Sequence, residues 1–416
     1  MLQNDGSRLR GALFDAAAPE HLTTEVASTR FERMHDAPHI CLFGEENLSV
    51  LAPEYGTHNV GGEQVQQTLL ARALVRRGYR VSMITHDYGQ PDGASWQGIQ
   101  VFKTSRPNAG LPGLRVAHPR ATRMWSACRR AAADVYYTSC AGFHVGLLAF
   151  YARTHSARFI FRTAHDADCE PENLLIRFWR DKKLYEYGLR NAHGILTQTE
   201  RQRAAMLSNY GLPSTTAIML IEASQRRLAF DERTLDVLWV NNFRSFKRPE
   251  VYLDLCEHLP ELSCHMIGGR LAEAAETYDT MEARARFIGN LQFHGQVPYH
   301  AVNDYYARTK VFVSTSQTEG FPNSYLQAWA RGTPVIAFFD PDGVIARHGL
   351  GYVVDNVESM ASAIKALTQN AAAWESCSER CRAYMAREYA EQKVVQPYVD
   401  EIERQLAARR TLRKSA

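Results

Sequence analysis

The sequence has no long hydrophobic run, no cysteine cluster and little net charge, and each absence excludes a class of protein. Its longest apolar stretch, Phe143 to Ala152, is interrupted by His144 and is far shorter than the roughly 20 residues of a membrane-spanning helix. The eight cysteines are scattered without the spacing of a metal site, so we predict reduced thiols in a cytoplasmic protein. A net charge of +3 is too small to predict nucleic-acid binding.

The first 36 residues form a polar leader without an apolar core, so it is not a secretory signal, and we predict that it is poorly ordered. Short runs rich in β-branched and aromatic residues then alternate with helical patterns, such as Glu63–Arg77, which ends at Gly78. A charged break at Glu222–Thr234 separates this series from a second one of the same kind. Strand, helix and strand in succession predict a parallel sheet.

Two α/β series of similar length predict two Rossmann-like, doubly wound domains that face a central cleft, because such sheets bind ligands at the carboxyl ends of their strands. The predicted bounds are 37–222 for the first domain and 235–375 for the second. A helix over 376–395 is predicted to cross back to the first domain, and a basic tail follows over 396–416.

Two stretches of the first half carry residues suited to a ligand. Gly61 and Gly62 stand just before the predicted helix, where glycines let backbone N–H groups approach a phosphate, although a tight loop is an equally good interpretation. His165 follows the predicted strand Arg158–Arg162 and could donate to a sugar hydroxyl, with a structural role as the alternative. The patterns GxGxxG and the P-loop are absent, which disfavours a simple NAD or ATP site.

In the second half, cations and an acid follow two predicted strands. The stretch Asn241–Arg248 places Arg244 and Lys247 where they could stabilise the charge that a departing nucleotide diphosphate gains, with a solvated basic turn as the alternative. The run Glu319-Gly320-Phe321-Pro322 follows a buried strand and opens a helix, where unbonded N–H groups suit a carboxylate or a diphosphate.

These stretches resemble the signature of the retaining glycosyltransferases of family 4, which have the GT-B superfold. Members carry a Glu-Gly-Phe-Pro run and a second acidic residue eight positions after the first. The resemblance spans roughly Ile40 to Tyr389 and includes GGEQVQQTLLARALVRRGYRV, the His-Asp pair after a strand, FRSFKRPE and NLQFHGQVPYHAVNDYYARTKVFVSTS. It implies transfer of a sugar from a nucleotide-diphosphate donor to a hydroxyl acceptor with retention of anomeric configuration, in polysaccharide or glycolipid assembly.

The resemblance also implies roles for single residues. Glu319 would contact the transferred sugar, Lys247 the diphosphate, and His165 the donor sugar near its anomeric carbon. Gly62 matches the loop that faces the pyrophosphate. The other residues expected at the donor are Gly61, Gly320, Phe321, Pro322, Asn323 and Gln327.

Two positions depart from the family pattern. Gln327 stands where the second Glu would bind the ribose, so we expect weaker ribose binding without charge assistance. Asn242 stands in the place of the family's partner Arg, and Arg244 could substitute for it. We expect no metal and no cofactor, because Lys247, Arg244 and helix N-termini would neutralise the diphosphate.

Residues 93–133 contain no Asp or Glu, and Met124 and Trp125 lie there among the arginines of a predicted helix. This segment could contact an anionic membrane or a lipid-pyrophosphate acceptor, with a solvated helix face as the alternative. We thus expect a cytoplasmic enzyme that contacts the inner face of the membrane, acts on a saccharide or lipid-linked saccharide and binds no nucleic acid. The alternatives are a degenerate sugar-nucleotide-binding subunit of a polysaccharide assembly complex and an epimerase or phosphorylase of the same fold.

Overall fold

The computed structural model describes residues 37–55, 60–111, 114–222, 226–271 and 274–415. The polar leader and part of the charged break between the two series lie outside these residues. The described chain contains two lobes, each built on one sheet.

In its described residues, the first lobe contains eight strands and six α-helices. The strands are β1 (His39–Phe43), β2 (Arg80–Thr85), β3 (Ser95–Trp96), β4 (Ile99–Lys103), β5 (Val135–Ser139), β6 (Arg158–Arg162), β7 (Gly194–Thr197) and β8 (Thr215–Thr216). The helices are α1 (Leu48–Leu51), α2 (Gly62–Arg76), α3 (Thr122–Ala131), α4 (Phe143–Thr154), α5 (Trp179–Arg190) and α6 (Glu200–Tyr210). The sheet order is β3-β4-β2-β1-β5-β6-β7-β8, and only β3 runs antiparallel to its neighbour.

Apolar side chains cover both faces of this sheet. Ile40 and Leu42 of β1 belong to one buried cluster, whereas Cys41 and Phe43 of the same strand belong to another. Successive side chains of a strand point to opposite faces, so a strand buried on both sides reads as a continuous apolar run. The first lobe is therefore doubly wound, as predicted.

In its described residues, the second lobe contains six parallel strands in the order β11-β10-β9-β12-β13-β14. They are β9 (Leu235–Val240), β10 (Cys264–Ile267), β11 (Leu291–Gly295), β12 (Thr309–Ser314), β13 (Val335–Ala337) and β14 (Gly351–Val353). Its helices are α7 (Pro249–Glu257), α8 (Ala275–Ala285), α9 (Tyr299–Arg308), α10 (Asn323–Trp329), α11 (Val344–His348) and α12 (Val357–Thr368). Two predicted Rossmann-like α/β domains are thus confirmed.

The described chain ends in two helices, and each of them packs on a different lobe. Helix α13 (Ala371–Glu388) packs on α10 and α12 of the second lobe, and α14 (Glu391–Ser415) packs on α2 and on β5 to β7 of the first. The predicted crossing helix at 376–395 and basic tail at 396–416 are therefore wrong in their bounds. The apolar stripe of Val394, Tyr398 and Ile402 buries one face of α14. Arg409, assigned to the tail, forms an ion pair with Asp134 of the first lobe.

The apolar run Thr216–Ile221 has the composition of a strand, yet only Thr215–Thr216 pairs with β7. Beyond it, side chains satisfy the backbone in place of a neighbouring strand. The carbonyl of Ala217 accepts hydrogen bonds from Arg162, and Gln66 bonds both the N–H and the carbonyl of Leu220 at 2.8 Å. Buried backbone groups need partners, and these side chains supply them.

Candidate active site

Lys247 and Glu319 form an ion pair at the carboxyl ends of two neighbouring strands. Lys247 closes a short 3-10 turn, Ser245–Lys247, after β9, and Glu319 lies in the loop after β12. Their side chains are 15% and 10% exposed. The Lys247 ammonium also lies 5.0 Å from the centre of the Phe246 ring. The structure thus brings together two residues that the sequence places 72 positions apart.

His165 approaches the same place from the first lobe. It begins the turn Asp166–Cys169 after β6, and its ring meets the ring of Phe246 edge to face, with 5.9 Å between the centres. Its Nδ1 accepts the Ala167 N–H at 3.0 Å. In the neutral ring this assigns the proton to Nε2, which can therefore act as a donor.

The two aspartates next to His165 hold this loop in place. Asp168 Oδ2 accepts the backbone N–H groups of Ala164 at 2.7 Å and of His165 at 3.1 Å. Asp166 Oδ1 accepts a hydrogen bond from Gln202 at 2.9 Å. Burial raises the pKa of both carboxyl groups above the usual value, against the lowering effect of these hydrogen bonds. Both aspartates therefore position the loop, a role that the sequence did not indicate for Asp168.

Gly320 packs directly against the first lobe. A Cβ atom at Gly320 would lie 2.6 Å from the Ala164 carbonyl oxygen and 2.6 Å from Gln198 Oε1. The next residue, Phe321, donates its backbone N–H to the same Gln198 oxygen at 3.0 Å. Only glycine fits here. Gln198 follows β7 and was not singled out in the sequence, because no spacing pattern connects it with the Glu-Gly-Phe-Pro run.

The glycine loop before α2 meets the start of α10. The Gly61 N–H donates to Gln64 Oε1 at 2.9 Å, and a Cβ at Gly62 would lie 2.3 Å from Asn323 Nδ2. Gln66 Nε2 donates to Asn323 Oδ1 at 2.6 Å. The predicted donor residues Gly62 and Asn323 are therefore neighbours across the cleft, and Gln66 is a further contact that the sequence did not reveal.

The remaining predicted residues lie on the second lobe around this contact. Pro322 precedes the first residue of α10, where its missing N–H leaves no hydrogen bond unmade. Gln327 lies one turn beyond Asn323 on the same face of the helix, is buried, and donates to Asn303 Oδ1 at 3.2 Å. Arg244 is exposed at the start of the turn that ends at Lys247.

The basic segment has a different structure from the one that we predicted. Met124 of α3 is buried, and Trp125 is half-buried, with its ring centre 4.9 Å from that of Tyr151. The two apolar residues therefore belong to the core of the first lobe rather than to an exposed amphipathic face. The apolar face of α3 packs on α4, and the contact of residues 93–133 with a membrane stays a prediction.

Two further searches concern the described residues alone. Within residues 37–415, apart from the gaps given above, no three or more His, Cys, Asp or Glu side chains are grouped as metal ligands. In that same part of the chain no helix is long and apolar enough to cross a membrane.

Two family models match the chain, one for each lobe. Residues 61–220 match the glycosyl transferase 4-like domain, and residues 221–384 match glycosyl transferases group 1. The two matches adjoin and together contain every predicted site residue. No curated protein sequence matches the chain significantly.

Solved structures share the two-lobed fold at low sequence identity. Sucrose-phosphate synthase from Thermosynechococcus elongatus superposes with a TM-score of 0.72 at 17% identity, covering 89% of this chain and 99% of its own. Anabaena HepE, solved with UDP-glucose, gives 0.67 at 11% identity, with coverage of 88% and 99%. A variant of S. aureus TarM, solved with UDP, gives 0.55 at 17%, with coverage of 68% and 58%. These similarities establish the fold.

Proposed function

The chain is a glycosyltransferase of the GT-B fold, and we propose that it moves a sugar from a nucleotide-diphosphate donor to a hydroxyl acceptor with retention of anomeric configuration. The ion pair between Lys247 and Glu319, which faces His165 across the cleft, is the observation that carries the proposal. The pair and His165 together bring a cation, a carboxylate and an imidazole to the same part of the cleft. Each of these groups has a task in the transfer of a glycosyl group from a diphosphate.

Lys247 stabilises the leaving group. As the bond between the anomeric carbon and the diphosphate breaks, negative charge grows on the phosphate oxygens. A fixed ammonium beside them therefore binds the transition state more tightly than the ground state. The N–H groups at the start of α10 add positive potential, and Arg244, on the same turn as Lys247, is proposed as the second cation.

Glu319 and His165 position the sugar. A carboxylate accepts hydrogen bonds from sugar hydroxyls, and the His165 Nε2 proton can be donated to one. Lys247 partners Glu319 and keeps this nearly buried carboxylate paired. Donor binding then exchanges this contact for contacts of Lys247 to phosphate and of Glu319 to sugar.

We propose that the reaction needs no metal ion and no cofactor. Lys247, Arg244 and the α10 N-terminus would carry the counter-charge that a divalent cation supplies elsewhere. Asp166 and Asp168 have the spacing of a metal-binding pair, yet their oxygens are taken up by Gln202 and by the loop backbone. The leaving phosphate would draw the proton from the acceptor hydroxyl on the same face of the sugar.

The donor is tested with a thermal-shift panel of UDP, GDP, ADP and TDP, with and without EDTA. A ligand at a hundred times its dissociation constant stabilises a protein by about 2.7 kcal/mol. We expect one diphosphate to stabilise the wild type, to be insensitive to EDTA and to lose its effect in Lys247→Ala. Lys365→Ala is the matched control, since Lys365 forms a surface ion pair with Glu261 at 3.0 Å on α12. If no diphosphate stabilises the wild type, the proposal fails.

The acceptor is proposed to be a saccharide or lipid-linked saccharide of polysaccharide or glycolipid assembly, at the surface of an anionic membrane. A product assay separates this function from the alternatives. An epimerase would interconvert the free nucleotide sugar without acceptor, and a binding subunit would bind the donor without transfer to any acceptor of a wide panel.

A further inference from the structure

A cavity of 420 Å³ opens in the first lobe, away from the Lys247–Glu319 pair. It lies at the carboxyl ends of β2 and β4 and is closed on one side by α3. Its charged lining residues are Asp87, Asp92, Lys103, Arg106, Arg123 and Arg130. We call these residues and the space between them the basic pocket.

The basic pocket carries more positive than negative charge. Two of its cations are held by its two acids: Lys103 Nζ lies 3.3 Å from Asp87 Oδ1, and Arg130 Nε lies 2.9 Å from Asp92 Oδ2. Arg106 and Arg123 also line the pocket, and neither forms an ion pair within the described part of the chain. Two guanidinium groups therefore remain available to an anion.

The position of the pocket relates it to the reaction centre. His165 follows β6. In the sheet, β2 lies three strands away from β6, and β4 lies four strands away. Neighbouring strands lie about 4.8 Å apart, so the pocket stands on the order of 14–19 Å from His165 along the same sheet edge. This edge is the one that faces the second lobe, since Ala164 and Gly62 contact that lobe from it.

We propose that the basic pocket binds an acidic group, a phosphate or a carboxylate, of the acceptor, at a distance from the hydroxyl that receives the sugar. Arg binds both groups through paired N–H donors, which gives orientation as well as affinity. The proposal rests on the proposed function, because it assigns the pocket to the acceptor of that transfer.

The first test measures stabilisation by inorganic pyrophosphate at constant ionic strength. Lys247→Ala is the background, so that the donor diphosphate site does not contribute. Adding Arg106→Gln and Arg123→Gln should raise the half-saturating concentration at least tenfold. Adding Arg129→Gln and Arg190→Gln, two exposed positions outside the pocket, makes the same charge change and should leave it unaltered. An equal response of all three proteins overturns the proposal.

The second test uses acceptor saccharides in matched neutral and phosphorylated forms. The wild type should prefer the phosphorylated form, and the Arg106→Gln/Arg123→Gln variant should lose at least tenfold of that preference while its KM for the donor stays the same. An unchanged preference overturns the proposal. Nucleotide-diphosphate binding is measured in the same proteins, and its absence from the wild type would refute the proposed function separately.

A second inference rests on a different surface. Leu175, Phe178 and Trp179, in the loop before α5 and at its first residue, are 70%, 53% and 74% exposed. Leu174 beside them is buried and fixes the loop to the core of the first lobe. Three large apolar side chains within five residues form an apolar patch, whereas exposed apolar residues scattered singly are normal.

Cations surround this patch. Arg177, Arg180, Lys182 and Lys183 lie within the same nine residues, where Asp181 is the one acid. The Arg177 and Arg180 guanidinium carbons lie 5.3 and 5.9 Å from the centre of the Phe178 ring. Exposed Trp and Phe among Lys and Arg is the composition of interfacial segments, whose rings enter the headgroup region while cations bind anionic lipids.

We infer that residues 175–183 dock the first lobe on an anionic membrane. This surface is separate from the segment 93–133, whose Met124 is buried and whose Trp125 is half-buried against Tyr151. The inference does not depend on the sugar donor or on the basic pocket.

Co-sedimentation with vesicles tests it. Wild type should bind phosphatidylglycerol vesicles at low salt and lose binding to phosphatidylcholine vesicles. Phe178→Ser with Trp179→Ser should weaken binding at least tenfold, whereas Phe287→Ser, which removes a 90% exposed ring from the second lobe, should bind as wild type. Wild type that stays in the supernatant, or a double variant that binds equally well, overturns the inference.

Discussion

Gly320→Ala tests whether the lobes meet at the site as the structure describes. The added methyl group would lie 2.6 Å from the Ala164 carbonyl oxygen of the first lobe. An ordinary contact begins at 3.4 Å, so one of the two segments must move by roughly 0.8 Å. Gln198 can turn its amide away, but it then loses the 3.0 Å hydrogen bond from Phe321.

The clash should weaken donor binding rather than the fold. Overpacking costs about 1–3 kcal/mol, and the Ala164 carbonyl cannot move freely because Asp168 holds the N–H groups of its loop. The strain is relieved most easily by a wider separation of the lobes, which leaves both cores intact. A ligand that contacts both lobes must close them against this strain. Its binding free energy then becomes less favourable by the same 1–3 kcal/mol, which corresponds to about 5- to 150-fold in affinity.

Calorimetric titration with the diphosphate that stabilises the wild type measures this loss. Gly289→Ala is the control, since nothing lies within 4 Å of its added methyl group. Wild-type affinity in Gly320→Ala would refute the interlobe contact. A fall of Tm by more than about 5 °C would show that the strain is absorbed inside a lobe instead.

Three further predictions concern charged groups. Glu319→Gln should lower the unfolding free energy by about 1–3 kcal/mol, because it leaves the nearly buried Lys247 ammonium without its carboxylate. Adding Lys247→Met should restore part of the lost stability. Urea unfolding measures both variants, and additive losses would contradict the pairing. Burial raises the pKa of Glu63 from 4.5 to about 7. Because the pKa of Glu63 is higher in the folded than in the unfolded state, stability falls as pH rises from about 4.5 to about 7. Glu63→Gln should flatten that slope and stabilise the protein at pH 8 by on the order of 1–3 kcal/mol. Arg233→Met should destabilise by about 3–5 kcal/mol, because the buried guanidinium bonds the carbonyls of Thr309 and Arg331; a loss below 1 kcal/mol in the same assay would contradict this.

Local features of the sequence predicted the sheets and the single residues of the site. The run His39–Phe43 is apolar at every position after the first, which is the pattern of a strand buried on both faces. Glu319 and Lys247 were found because each follows such a strand, and the carboxyl ends of parallel strands meet at one edge.

Contacts between the lobes could not be found in this way. Gln66 and Asn323 are 257 positions apart, and Gln198 and Phe321 are 123 apart. Which of these residues meet depends on the order of strands in two sheets and on the angle between them, and no period in the sequence encodes either. The error over α14 has another cause: Arg409, Arg410, Arg413 and Lys414 make its end basic, whereas the apolar stripe that determines its position lies earlier in the helix.

Hydrogen bonds across the cleft are one part of what joins the lobes, beside the buried apolar cluster that contains side chains of both. Among the described residues, three hydrogen bonds link the lobes beside the site: Gln66 to Asn323, the Phe321 N–H to Gln198, and the Glu200 N–H to Asp342. At a net 0.5–1.5 kcal/mol each, they amount to about 2–5 kcal/mol. A nucleotide sugar bound with micromolar affinity gains about 8 kcal/mol, so exchange of these contacts for donor contacts lies within its reach. Because α13 packs on one lobe and α14 on the other, such an opening must bend the chain at 389–390 and in the connection after β8.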